Sequence, residues 1–446
     1  MTFKITASPK SLELLLKERT YSAHNYTPVP IVFDSASGIH VTDVDGNEYL
    51  DFGAAYSAVN TGHNHPKILE AVKAQYEKCS LVGRGFTHSL YAQFCEEVCK
   101  AFGFERVLTL NGGGEAVEFA IKLCRAWGYV KKKIPQDEAK VMMVAKNYHG
   151  RLLGVTSGST NPTARANYGP FIPKVGPAYG DGKMLPFNDL EALEECFELE
   201  GDKIAGIIIE SIQGEAGIFP PNPGYLDGVR ALCDKYNVLW CADEVQMGSY
   251  RCGAKRWGYE NTSNSKPDVL ISAKSISGGL YPCSVVCSSS EIMDSIAPNS
   301  HGATFSGSPI ACAATLAALK VYEEEDLGAN VAKQGPHMLA ELDRLCCKYD
   351  LIEQVRGVGL IAGVDINVEL LAQNNMSVWH VCMFMRAMGI ACKQVHDRTV
   401  RFCPPLTVTR DQIDAMISSF EQCCQTLLKL QPQDIPGVSD FHFLGH

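Results

Sequence analysis

Between residues 57 and 325 the chain repeats one arrangement: a short, almost uninterrupted apolar run rich in β-branched residues, then a stretch of helical periodicity. The runs fall at 107–110, 141–145, 204–210, 238–243, 269–273 and 284–287. A strand that is apolar on both faces has no solvent side and must lie in a sheet covered above and below. Helices between successive strands supply that cover, and with it the crossovers that parallel pairing requires. The chain is therefore expected to be α/β, its large domain spanning 57–325 around a mostly parallel sheet.

The flanks read differently. Residues 1–56 are expected to form an irregular arm ending in short strands, with a hairpin at 38–47 where alternation gives way to Asp43-Val44-Asp45-Gly46-Asn47. After a long helix at 311–325 the pattern shifts to strands within 351–364 and at 400–403, closed by a helix at 410–428. This predicts a smaller α+β domain over 326–446.

Composition removes several function classes. With 46% hydrophobic and 20% charged residues over 446 positions, the chain is ordinary globular material. Lysine and arginine number 40 against 50 acidic residues, a net charge of −10, so no global field favours nucleic acid or an anionic membrane. No apolar run reaches bilayer length. The 18 cysteines include no CxxC pair and no zinc spacing, so no metal is expected and the thiols read as small buried hydrophobes in a reducing compartment. Residues 1–20 mix Glu13 and Glu18 with Lys4, Lys10, Lys17 and Arg19, unlike a signal or transit peptide. A cytoplasmic protein is expected, a mature mitochondrial form remaining open.

Three constellations carry chemistry. The first, Leu110-Asn111-Gly112-Gly113-Gly114-Glu115-Ala116, ends a strand in glycines and starts a helix. Backbone N–H groups there can approach an anion, helped by the helix dipole; a plain flexible turn is the alternative. In the second, Asp243 closes an apolar strand, where open α/β sheets bind ligands, unless it merely caps the next helix. In the third, Lys274 closes the following strand. Desolvation disfavours its ammonium and frees an amine for covalent chemistry, unless the side chain snorkels or is ion-paired. Anion cradle, strand-end Asp and strand-end Lys together suit pyridoxal phosphate, which has a phosphate, a ring nitrogen that prefers a carboxylate, and an aldehyde.

With these residues in place the chain resembles the class III aminotransferases of the fold-type I pyridoxal-phosphate enzymes, and within that class the ornithine branch. Further stretches carry the likeness: Tyr56-Ser57-Ala58-Val59-Asn60, Ile212-Gln213-Gly214-Glu215-Ala216-Gly217, Ser277-Gly278-Gly279-Leu280-Tyr281-Pro282 and Arg401-Phe402-Cys403-Pro404-Pro405. The resemblance implies a seven-stranded sheet in the large domain and pyridoxal 5'-phosphate as cofactor. It makes Lys274 the Schiff-base lysine and Asp243 the partner of the ring nitrogen. Gln246 is placed at the ring hydroxyl, Tyr148 on the ring face with His149 beside it, and Gly113 and Gly114 at the phosphate. Thr304 reaches the phosphate of a neighbouring subunit, which implies a homodimer with shared active sites.

For substrates, the resemblance implies that Arg151, helped by Tyr26 and Tyr56, holds the distal groups of ornithine. Arg401 receives the carboxylate of 2-oxoglutarate, and Glu215 masks Arg401 until the oxo acid arrives. Gly112 stands where the family usually has threonine and Ala303 where it has serine, which removes two hydroxyl donors. The expected activity is transfer of the δ-amino group of L-ornithine to 2-oxoglutarate. The alternatives are a sibling acting on γ-aminobutyrate or N-acetylornithine, an aminomutase, and a catalytically silent binding protein.

Overall fold

The apolar runs between 57 and 325 assemble into one seven-stranded sheet. The computed structural model describes residues 2–444. Its chain forms two compact units: Pro66–Asp326, and the residues up to His65 together with those from Leu327 onward.

This sheet lies in the first unit, and its strands are β1 (Arg106–Leu110), β2 (Lys140–Met143), β3 (Val175–Gly176), β4 (Ile204–Glu210), β5 (Leu239–Asp243), β6 (Val269–Ser272) and β7 (Ser284–Ser288). Their spatial order is β1-β7-β6-β5-β4-β2-β3. Only β7 runs against its neighbours; β6, β5, β4, β2 and β3 are parallel. Strands β4 to β7 are buried at every position. Alternate residues feed two cores on opposite faces. Ile207, Ile209, Trp240 and Ala242 join one, and Ile208, Leu239 and Cys241 the other. That two-sided burial is why the runs contain almost no polar residue. Helix α1 (Gly113–Trp127) packs Phe119 and Leu123 into the second core, and α2 (Pro309–Glu324) packs Ala311 and Cys312 into the first.

Parallel pairing brings the strand ends together. Asp243 is in register with Glu210 on one side and Ile271 on the other. Lys274 follows β6 and Gly113 follows β1, so the groups at these positions gather at the carboxyl edge of the sheet, where such sheets bind ligands.

The second unit holds two four-stranded sheets. One contains Phe33–Ser37, His40–Asp43, Glu48–Asp51 and Ile390–Ala391; the other contains Ile352–Val358, Ile361–Ile366, Thr399–Phe402 and Lys393–Val395. The hairpin turns where expected: Asp43 Oδ1 accepts the N–H groups of Asp45 and Asn47 at 3.0 and 2.8 Å. Two features depart from the sequence reading. Residues 1–56 do not stand as a separate arm, because Ile390–Ala391 adds in parallel to Glu48–Asp51 and joins the N-terminal strands to the C-terminal residues. Nor is the arm wholly irregular, since Pro9–Tyr21 is a helix with Ser11 and Leu15 buried. Its first turn is capped from a distance: Asp45 accepts the N–H groups of Lys10 and Ser11 at 2.8 and 2.9 Å.

Among the described residues no helix is long and apolar enough to cross a membrane, and no group of His, Cys, Asp or Glu is arranged to hold a metal ion. All 18 cysteines are free thiols.

Candidate active site

A cavity of about 190 Å³ opens at the carboxyl edge of the large sheet. Seven residues singled out from the sequence line it: Gly113, Gly114, Tyr148, His149, Asp243, Gln246 and Lys274. Gly150, Glu210, Val245 and Met247 complete the wall.

Asp243 is held on both oxygens. Val245 N–H donates to Oδ1 at 3.0 Å, a turn rather than the cap of a helix. His149 Nδ1 lies 2.6 Å from Oδ2. The imidazole is buried, and its Nε2 has no hydrogen-bond partner among the described residues. Burial opposes charge on His149, but the bond to Asp243 and the negative charges of Asp243 and Glu210 outweigh it and raise the imidazole's pKa. A buried carboxylate with a cationic partner on one side and a backbone donor on the other is locked in orientation.

Lys274 is half-buried and opens a 3₁₀ turn, Lys274–Ser277, with φ +51°. The left-handed backbone at a residue with a side chain is strain of the kind found at functional positions. The turn ahead of α1 is tied by Glu115, whose Oε2 accepts the N–H of Asn111 at 2.9 Å. Gly113 is required by crowding, because a Cβ there would come within 2.8 Å of Val245 Cγ1. At Gly112 a Cβ would meet nothing within 4 Å, so space does not explain the lack of a hydroxyl-bearing residue.

Glu210 was not singled out from the sequence, although it closes an apolar strand as Asp243 does. It is buried and pushed up to about 7 by desolvation, against the pull of His149 and two backbone donors. Glu244, likewise pushed up to about 7 by burial, faces other partners: it accepts from the Ser211 hydroxyl and from Gly258 and Tyr259 N–H. Glu215 also belongs to this region, its Oε1 accepting from Gln246 Nε2 at 3.1 Å.

Three predicted residues of this unit do not line the cavity: Glu215, Arg151 and Thr304. Arg151 is exposed, its guanidinium carbon 5.7 Å from the centre of the Tyr148 ring. Thr304 is exposed in the segment preceding α2. The remaining three lie in the other unit. Tyr26 is 61% exposed. Arg401 is buried, and its guanidinium carbon stands 4.6 Å from the centre of the Tyr56 ring. Tyr56 is in a left-handed run of non-glycine residues: φ is +43° at Ala54, +44° at Ala55, +60° at Tyr56 and +69° at Ser57. Asp51 holds the start of that run by accepting the N–H groups of Gly53 and Ala54 at 2.8 and 3.0 Å.

The donor set suits a ligand with an anionic group at the start of α1, a protonated ring nitrogen at Asp243 and an electrophilic carbon at Lys274. A side chain at 113 would fill the cradle, and the sequence leaves it empty.

Residues 21–424 match the model of the family aminotransferase class-III. The chain is 44% identical over 409 residues to the ornithine aminotransferase of Schizosaccharomyces pombe, covering 92% of both chains. The solved ornithine aminotransferase of Toxoplasma gondii superposes with a TM-score of 0.88 at 33% identity, covering 96% of this chain and 97% of that one. The solved acetylornithine aminotransferase of Elizabethkingia anophelis gives 0.82 at 36% identity, covering 93% and 99%.

Proposed function

The chain belongs to the class III aminotransferases, enzymes that use pyridoxal 5'-phosphate, and on that premise we propose that it moves the δ-amino group of L-ornithine to 2-oxoglutarate, giving glutamate 5-semialdehyde and glutamate. The likeness to the Schizosaccharomyces pombe enzyme over nearly the whole chain carries the choice of donor.

The cofactor, when bound, supplies an electron sink for the carbon that carries the migrating amine. The rest falls to the protein. Gly113 and Gly114 present N–H groups at the start of α1 to the phosphate. Asp243, fixed by His149 and Val245, holds a proton on the ring nitrogen. Lys274 would hold the cofactor through Nζ, and the same atom would carry the proton that the exchange requires. Tyr148 covers the ring, and Gln246 serves its hydroxyl. In this reading Arg401 takes the carboxylate of the oxo acid, its guanidinium held over Tyr56, because a planar guanidinium matches a carboxylate with two bonds. Arg151, Tyr26 and Tyr56 take the distal groups of ornithine. Thr304, exposed in this chain, serves the phosphate of a second copy, so the working unit is a homodimer. The compartment proposed is the cytoplasm.

The likeness to an acetylornithine enzyme favours N-acetylornithine as a second donor. Mixing the cofactor-loaded protein with ornithine, N-acetylornithine or γ-aminobutyrate decides between them. Loss of the bound-cofactor absorbance band with ornithine, with semialdehyde formed, is expected. Loss of the band with N-acetylornithine alone overturns the assignment.

A further inference from the structure

Glu210 stands in register beside Asp243, yet its carboxylate serves the backbone of two loops from different crossovers. Oε1 accepts the N–H of Tyr148 at 2.9 Å, and Oε2 accepts the N–H of Gly214 at 3.0 Å. The first loop carries Tyr148 and His149. The second carries Glu215, whose carboxylate accepts from Gln246. Gln213 adds a tie between the same loops, its Nε2 donating to Ala145 O at 2.8 Å. The second loop is pressed close, since a Cβ on Gly214 would fall 2.1 Å from Gln246 Oε1. Glu210 itself lines the cavity and is 5% exposed.

We propose that Glu210 is a positioning residue for the transamination: as a carboxylate it sets the ring-covering Tyr148 and the Gly214–Glu215 turn at a fixed distance from each other. Both bonds need acceptors. An ionised carboxylate accepts strongly on both oxygens, whereas a protonated one keeps that strength only on its carbonyl oxygen, and the bond to its hydroxyl oxygen weakens. The groups facing Glu210 are His149, which favours its charge, Asp243, which opposes it, and the N–H donors of Tyr148 and Gly214. Burial dominates and puts the change of state in the neutral range, at about 7. The two loops are then braced above that pH and one of them is held more weakly below it.

The inference rests on transamination at this site, not on which amine is consumed, and its test reads the protein rather than turnover. Hydrogen exchange is followed on the full-length, cofactor-loaded protein in peptides covering 145–151 and 211–217, at pH 6 and pH 8, after correction for intrinsic rates. In the wild type, exchange of at least one peptide should slow about tenfold from pH 6 to pH 8, as a bond to a charged acceptor is gained. Glu210→Gln offers one acceptor and one donor, so at pH 8 it should exchange as the wild type does at pH 6, without pH dependence. Glu210→Asp restores the charge and should recover part of that dependence. Wild-type protection in Glu210→Gln at both pH values overturns the proposal. Should Glu210→Gln fail to fold, Glu210→Asp decides: its shorter side chain cannot reach both N–H groups, and wild-type protection of both peptides in that variant overturns the proposal. Consumption of a donor other than ornithine leaves these outcomes unchanged.

Discussion

His149 Nδ1 lies 2.6 Å from Asp243 Oδ2, with both side chains buried. The pair gives the strand-end carboxylate a fixed direction and a partner where an isolated buried carboxylate would be costly. Its other oxygen is occupied by Val245 N–H, so rotation of the carboxyl group breaks two bonds at once.

Asp243→Asn should keep the cofactor and lose turnover. The amide offers a single acceptor oxygen and no charge, so it cannot hold a proton on the ring nitrogen. Loss of such stabilisation costs about 10²-fold or more in kcat. The check is kcat together with the absorbance of bound cofactor; normal turnover with full loading would reduce Asp243 to a turn-former.

The pair also sets a pH dependence of stability. The folded pKa of His149 is raised above its unfolded value, so the contribution of its charge is complete below the unfolded value near 6.5 and is lost as pH rises through the folded one. The difference in melting temperature between the wild type and His149→Gln should therefore narrow from pH 6 to pH 9. Thermal unfolding across that range tests it, and a gap that widens with pH contradicts the pairing.

Gly113→Ala should weaken cofactor binding through one contact. The new Cβ meets Val245 Cγ1 at 2.8 Å, and a β-branched side chain has little room to swing away. Overpacking of this kind costs about 1–3 kcal/mol, or roughly ten- to hundredfold in affinity. Val245→Ala in the same chain removes the obstacle and should recover most of the loss. Cofactor titration of the two single variants and the double variant is the measurement. Purely additive effects would mean that the cradle fails for another reason.

Every strand of the large sheet except β3 is legible within two residues, and for β4 to β7 the reason is burial on both faces, which leaves an apolar run that local sequence displays. β3 is two residues long and has no such run. Asp243 and Lys274 are visible as polar residues closing apolar strands, and Glu210 carries the same signature. The helix Pro9–Tyr21 depends on a cap supplied by Asp45, and the second unit on the pairing of residue 390 with residue 50. No local pattern announces either. The left-handed turn at Tyr56 is equally silent, since Ala54-Ala55-Tyr56-Ser57 contains no glycine. Roles for Arg151, Arg401, Tyr26 and Thr304 came from resemblance alone: isolated arginines, tyrosines and threonines carry no spacing signal.

Substitutions at Tyr56 should separate two duties. Tyr56→Phe keeps a ring beneath the Arg401 guanidinium, so any loss reports on the hydroxyl and should fall on ornithine. Tyr56→Leu also removes the cation–ring contact, worth about 0.5–2 kcal/mol, and should add roughly a two- to thirtyfold loss in the half-reaction with 2-oxoglutarate. Single-turnover rates of each half decide. If Phe and Leu harm both halves equally, the ring does not hold Arg401 for the oxo acid.

Glu215 should govern the choice between the two substrates. Ornithine brings an amine to the reacting centre, whereas 2-oxoglutarate brings a carboxylate, and one uncompensated arginine cannot favour both. On the proposed assignment Glu215 would offset the charge of Arg401 during the ornithine half. Glu215 also accepts from Gln246, so a substitution risks disturbing Gln246 as well as removing charge. Glu215→Gln separates these effects, because its amide oxygen can still accept from Gln246 while the charge is gone. If charge is what matters, Glu215→Gln and Glu215→Ala should shift preference toward glutamate over ornithine alike, by about ten- to hundredfold for a coupling of ~1–3 kcal/mol. If the hydrogen bond is what matters, only Glu215→Ala should shift it. The second half-reaction should be little changed in either variant, since Arg401 no longer has to be uncovered. A double-mutant cycle with Arg401→Ala, run on each half separately, closes the argument: effects of Glu215→Gln and Arg401→Ala that simply add would show that the two charges act independently, and selectivity would have to come from the shape of the pocket.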